Sequence, residues 1–158
     1  MSSNGPKSFK NSKLVTIVNY HFIRKVPQIR GIKLNALSKA AFINQLDFMI
    51  NNYNFISVTD CINAIYNNKK LPKNPIMLTF DDGYIEHYRT VFPLLIERSV
   101  NGCFFPVEKT VTEKKMLEVN KIHLVLGSIE INVLIDDIGR LIKQYKSEYN
   151  LKNFDDYR

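Results

Sequence analysis

Asp81 and Asp82 stand side by side at the end of an apolar run, "PIMLTFDDGY", residues 75–84. Two carboxylates this close repel each other, and partial burial makes the repulsion worse. Such a pair persists in one of three ways: a divalent cation neutralises it, one member keeps a proton, or the pair is simply hydrated at a turn. The last is the plain alternative, since Asp-Gly is common turn chemistry. The apolar run "IMLTF" argues for the others: it delivers the pair to the tip of a buried strand, and Gly83 relaxes the backbone there.

The segments around this run must position it. "KLVTIVNYHF" gives a strand, apolar from Leu14 to Val18 and ending at the polar Asn19 and His21. "IRKVPQIRGIKLNA" follows as a loop punctuated by Pro27 and Gly31. Ser38 caps a helix, "KAAFINQLDFMINNY", with Phe42, Leu46 and Met49 on one stripe. "NFISV" is a short strand, Thr59 or Asp60 opens a second helix, "CINAIYNNKK", and "LPKNP" turns into the central run. Beyond Gly83, "YIEHYRTVFPLLIERS" reads as a helix kinked at Pro93, "VNGCFFPV" as another strand, and residues 108–158 as helical. This alternation is that of a parallel α/β fold, in which ligands meet the C-terminal ends of the strands. Asp81 and Asp82 occupy that position.

Other reactive side chains rank below the pair. His21, at the tip of the first strand, and Tyr84, directly after the aspartates, are expected to line the same mouth, with Arg24 as a further pocket residue that could meet an anionic sugar or a carboxylate. His87 is expected to contact a loop, and His123, between Ile122 and Leu124, to be structural. Phe104 and Phe105 read as core. Cys61 and Cys103 lack metal or disulfide spacing and read as free buried thiols. An apolar strand ending in acids also suits a magnesium-binding ATPase strand, but none of the six glycines supplies the G-x-x-x-x-G-K-[ST] phosphate cradle.

"LTFDDGY" resembles the first motif of the NodB-type polysaccharide deacetylases, the carbohydrate esterase family 4. "NYH", "FINQLDFMINNYNFISV", "LPKNP", "VFPLL" and "GCFFPV" extend the resemblance over about residues 14–107. It implies a partial distorted (β/α) barrel over residues 13–107, after a flexible basic tail at 1–12. A helical segment, 108–158, would then be an insertion truncated before the family's histidine motif. The resemblance implies a hydrolase removing acetyl groups from an N-acetylated saccharide in surface polysaccharide metabolism. Asp82 would be the ligand of a divalent metal, zinc, and Asp81 the general base, which suits a cation that lowers the pKa of its water beside a carboxylate that takes the proton. None of the three histidines matches the family's H-[ST]-x-x-H-type motif, so the chain alone is expected to be inactive. The alternative is a non-catalytic fragment that binds saccharide or docks on a partner.

Length and charge bound the rest. The 158 residues suit one domain, and no apolar stretch approaches the roughly 20 residues of a membrane span. The net charge of +7 is carried by scattered lysines such as Lys69-Lys70 and Lys114-Lys115, a solvated surface rather than a nucleic-acid site. "MSSNGPKSFKNSK" has no apolar signal core, so a cytoplasmic location is expected. An open half-barrel would expose strand edges and could self-associate through them.

Overall fold

The computed structural model of the protein describes residues 14–24 and 36–157. The expected tail at 1–12 and most of the loop through Pro27 and Gly31 lie outside the described residues. These fall into two compact units, 14–24 with 36–112, and 113–157.

The first unit is built on β3 (Pro75–Asp81). It pairs in parallel with β1 (Thr16–Tyr20), residue for residue from Thr16 opposite Ile76 to Tyr20 opposite Phe80. Its other edge is shared: β2 (Asn54–Phe55) takes Pro75 and Ile76, and β4 (Gly102–Phe105) takes Leu78 to Asp81. Helices packed on the core face of β3 exclude water from its side chains there, which is why β3 reads as a nearly continuous apolar run. Ile76, Leu78 and Phe80 are fully buried, and against them pack Phe42, Leu46 and Met49 of α1 (Lys39–Asn52) together with Val91, Leu94 and Leu95. Phe80 lies between two stacked rings, Tyr20 at 5.5 Å and Phe104 at 4.8 Å. The four strands form an open parallel sheet, the α/β architecture expected of a partial barrel. A groove of about 470 Å³ runs between β1 and α1, lined by Thr16, Val18, Gln45, Phe48 and Tyr53.

The helices start and bend where local chemistry requires. Ser38 caps α1 by accepting the Ala41 amide at 3.0 Å. The second helix, α2 (Val58–Tyr66), begins slightly earlier than expected: Ser57 is its cap, and Asp60, the third helical residue, reaches back to the Ser57 amide and hydroxyl. This reciprocal arrangement satisfies two end donors at once. The Ser57 hydroxyl, with help from Lys69, holds the Asp60 carboxyl down to about 2. Beyond Gly83, the expected kink is a π turn over His87–Val91, where the Phe92 amide bonds the His87 carbonyl, followed by α3 (Phe92–Glu97). Pro93 has no amide hydrogen to give, so the ladder widens just before it. A short α4 (Glu108–Thr112) follows β4.

The second unit comprises α5 (Glu118–Ser128), α6 (Ile131–Tyr149) and a 3-10 turn over Phe154–Tyr157. Asn150 ends α6 in the left-handed conformation, and the Phe154 ring packs over Gly139. No helix of the described residues is long and apolar enough to cross a membrane. Cys61 and Cys103, expected as free buried thiols, are free but only partly buried.

Gly102 sets the distance between β4 and the helical layer: a Cβ there would fall 2.7 Å from Leu95 Cδ1 and 2.9 Å from Phe80 Cε2. Both neighbours are fully packed, so neither has room to retreat. Gly102→Ala is expected to destabilise the first unit by about 1–3 kcal/mol, read as a lowered urea midpoint with an unchanged slope.

Candidate functional site

Side chains alternate across a strand, so the face of β3 opposite the core carries Thr79 and Asp81. Register places Asn19 of β1 opposite Thr79, and His21 follows on the same side. The Thr79 hydroxyl donates to Asn19 Oδ1 at 2.9 Å, and Asn19 Nδ2 donates to Asp81 Oδ2 at 2.8 Å. Because Thr79 engages the amide oxygen, the amide nitrogen is the end that meets Asp81. His21 Nε2 lies 3.8 Å from the same carboxylate oxygen, with its ring half exposed. The result is a carboxylate at a strand tip, oriented from one side and open to water, which is the geometry of a proton acceptor.

Asp82 and Gly83 both adopt left-handed backbone, φ 70° and 66°. Asp tolerates this region better than most residues, and two such residues in succession turn the chain sharply out of β3. The Tyr84 hydroxyl donates to Asp82 Oδ2 at 2.7 Å. At Gly83 a Cβ would lie 2.9 Å from Pro106 Cβ, so the exit of β4 packs directly on this turn.

A second layer braces the turn. Phe22 and Tyr84 pack ring on ring at 4.3 Å, and the Arg24 guanidinium lies over both, 4.8 Å from the first centroid and 5.6 Å from the second. Arg24 also pairs with Glu86 at 3.1 Å. Beneath it His87, 3% exposed, bonds the His21 carbonyl through Nε2 at 2.7 Å. A carbonyl only accepts, so Nε2 carries the proton and Nδ1 is left buried without a partner. The surrounding Phe80, Tyr84 and Phe104 rings strip away water, and this desolvation lowers the His87 pKa, against the opposing effect of the His21 carbonyl.

The structure thus brings His21 to Asp81 and Tyr84 to Asp82. Arg24, expected as a pocket residue, is committed to Glu86 and to two ring faces. Phe104 packs against the core as expected, but Phe105 is 52% exposed, because it occupies the opposite face of β4. Asn19, Thr79 and Glu86 were not singled out by sequence reasoning; only the polar end of an otherwise apolar strand hinted at Asn19. Among the described residues no group of three His, Cys, Asp or Glu side chains is arranged to hold a metal ion. The carboxylates alone do not make the three-ligand set of a catalytic zinc.

The family model for polysaccharide deacetylases matches residues 68–131. Among solved structures, a de-N-acetylase from Aggregatibacter actinomycetemcomitans is similar with TM-score 0.56 and 20% identity, over 82% of this chain and 51% of that one. IcaB from Ammonifex degensii matches with TM-score 0.55 and 18% identity, over 88% and 71%. The Streptococcus pyogenes deacetylase PplD, solved with acetate, matches with TM-score 0.50 and 15% identity, over 88% and 70%. No curated protein matches the sequence. The chain spans about half the length of the first of these structures. The likeness to these solved structures is one of fold, and the family model for polysaccharide deacetylases covers the stretch from β3 into the second unit.

Two outcomes follow from the turn and its brace. Gly83→Ala forces a side chain into left-handed backbone and against Pro106, and should cost about 2 kcal/mol or more of stability in denaturant unfolding. His87 makes stability depend on pH with a defined sign. Above about pH 6.5, the ordinary imidazole value, the ring is neutral in both folded and unfolded chains. As pH falls below that, the unfolded chain takes up a proton that the buried ring resists, so stability drops until the lowered folded value is reached. His87→Gln keeps an N–H for the His21 carbonyl and removes the titration. The loss of urea midpoint between about pH 7.5 and about pH 5.5 should therefore be smaller in this variant than in the parent.

Proposed function

We propose that this chain, with the signature and fold of a polysaccharide deacetylase, supplies the carboxylates of a site that hydrolyses the N-acetyl amide of a saccharide in surface polysaccharide metabolism. The observation that carries the reading is the placement of Asp81 and Asp82 at the C-terminal end of β3, each held by its own donor, Asn19 and Tyr84. In this reading the Asp81 carboxylate accepts a proton from water as the water oxygen attacks the amide carbonyl. The tetrahedral intermediate then collapses, the carbon–nitrogen bond breaks, and the proton passes to the departing amine, leaving acetate and a free amino sugar. Asn19 orients the base, and half-exposed His21 lines the approach.

The reading carries a divalent cation, zinc, as cofactor of the complete site, with Asp82 among its ligands. The described residues offer no group of three donors, so these residues alone do not hold one. The same shortage favours a second reading, in which the chain binds saccharide without hydrolysing it. Self-association through the outer side of β1, along the groove with α1, belongs to either reading.

The experiment is to add N-acetylglucosamine oligosaccharides to the isotopically labelled chain and follow backbone amide shifts. Perturbations are expected at Asn19, His21 and Asp81 through Tyr84; shifts confined to other regions would remove the saccharide reading. With zinc present, acetate release by this chain is expected to stay at background. Zinc-dependent release abolished by Asp81→Asn would show instead that the site is complete.

A further inference from the structure

Phe105 is an exposed aromatic ring at the tip of β4, and its position is not accidental with respect to Asp81. The two residues are register partners in the parallel pair of β3 and β4. In the preceding pair, Phe80 and Phe104, the rings stack at 4.8 Å and 17°, which shows that partners here point to the same side. Alternation then sends Asp81 and Phe105 together to the opposite face, on neighbouring strands about 4.8 Å apart. Phe104 packs against the core, while Phe105 is 52% exposed. The next residue, Pro106, abuts Gly83, so the strand end bearing Phe105 is locked against the turn that carries Asp82.

An exposed ring at this place invites a ligand with one apolar face. The rim of a hexopyranose is polar, but its ring face presents C–H groups, and an aromatic face carries the negative end of a quadrupole that meets them favourably. A flat ring beside a carboxylate can therefore hold the sugar while leaving its N-acetyl substituent towards the acid. We infer that Phe105 is the platform on which the sugar ring of the substrate stacks beside Asp81. This rests on the saccharide reading above, and it adds the residue that sets the plane of the bound ring.

The chain contains no tryptophan, so Phe105→Trp places a single indole at the platform. The test titrates soluble β-1,4- and β-1,6-linked N-acetylglucosamine pentasaccharides into the full chain by calorimetry, and into Phe105→Trp by fluorescence. Phe105→Ala and Phe105→Leu are expected to weaken binding about fivefold to tenfold. Phe105→Trp should bind at least as tightly as the parent, with its emission shifted to the blue at saturation. Leu keeps apolar bulk without an aromatic face, so its thermal unfolding should match the parent and guards against a trivial folding defect. If Phe105→Leu binds as the parent does, or if saturation leaves the indole emission unchanged, the platform is overturned while the saccharide reading stands. If the parent binds neither pentasaccharide, the saccharide reading falls and the platform with it.

Discussion

Register between β1 and β3 is the constraint on which the site depends. With a side-chain period of two, the pairing of Asn19 with Thr79 assigns every residue of both strands to one of two faces. Tyr20, Ile76, Leu78 and Phe80 go to the core, and Asn19, Thr79 and Asp81 go to the mouth. A slip of one residue would bury Asn19 and set the Tyr20 ring against Asp81. The fully buried Phe80, clamped between Tyr20 and Phe104, makes such a slip expensive. The hydrophobic core therefore does more than stabilise the sheet: it fixes which polar groups meet.

The repulsion between adjacent carboxylates is managed locally in this structure. Asp81 leaves β3 in extended backbone and takes the Asn19 amide, while Asp82 enters the left-handed region and takes the Tyr84 hydroxyl. The break in backbone conformation between them gives each acid its own neutral donor. Each bond is modest by itself, but the donors are themselves fixed, Asn19 by Thr79 and Tyr84 by Phe22 and Arg24. Side-chain freedom already lost in that network is not lost again when a ligand arrives, which is the physical content of preorganisation.

The loop after β1 and the helix after the aspartates are joined twice, by the Arg24–Glu86 pair and by His87 on the His21 carbonyl. These contacts differ in kind. The first is partly hydrated and contributes little on its own, whereas the second is made by a buried ring, so losing it would leave the His87 imidazole with neither nitrogen bonded. The π turn over His87–Val91 accompanies this arrangement: Pro93 prevents a regular ladder in the segment from which His87 projects.

Much of this was legible in the sequence. The run "IMLTF" announced a central buried strand, the stripe Phe42, Leu46 and Met49 announced the face of α1, and "LTFDDGY" announced both the deacetylase-type fold and the carboxylate pair. These are local signals, written in periodicity, turn chemistry and a short motif, and they survive without knowledge of distant neighbours. The partners of the carboxylates were not legible in the same way. Asn19 and Asp81 are 62 positions apart and meet only because two strands pair in one register. Phe104 and Phe105 look alike in the sequence, yet one packs against the core and the other is exposed, because alternation was pinned by Phe80 across the ladder. The sequence by itself determined the elements and the chemistry available at the tip of β3. Only the tertiary structure decided which donors hold each acid and which aromatic residue stands in register with Asp81, since those are consequences of long-range pairing rather than of composition.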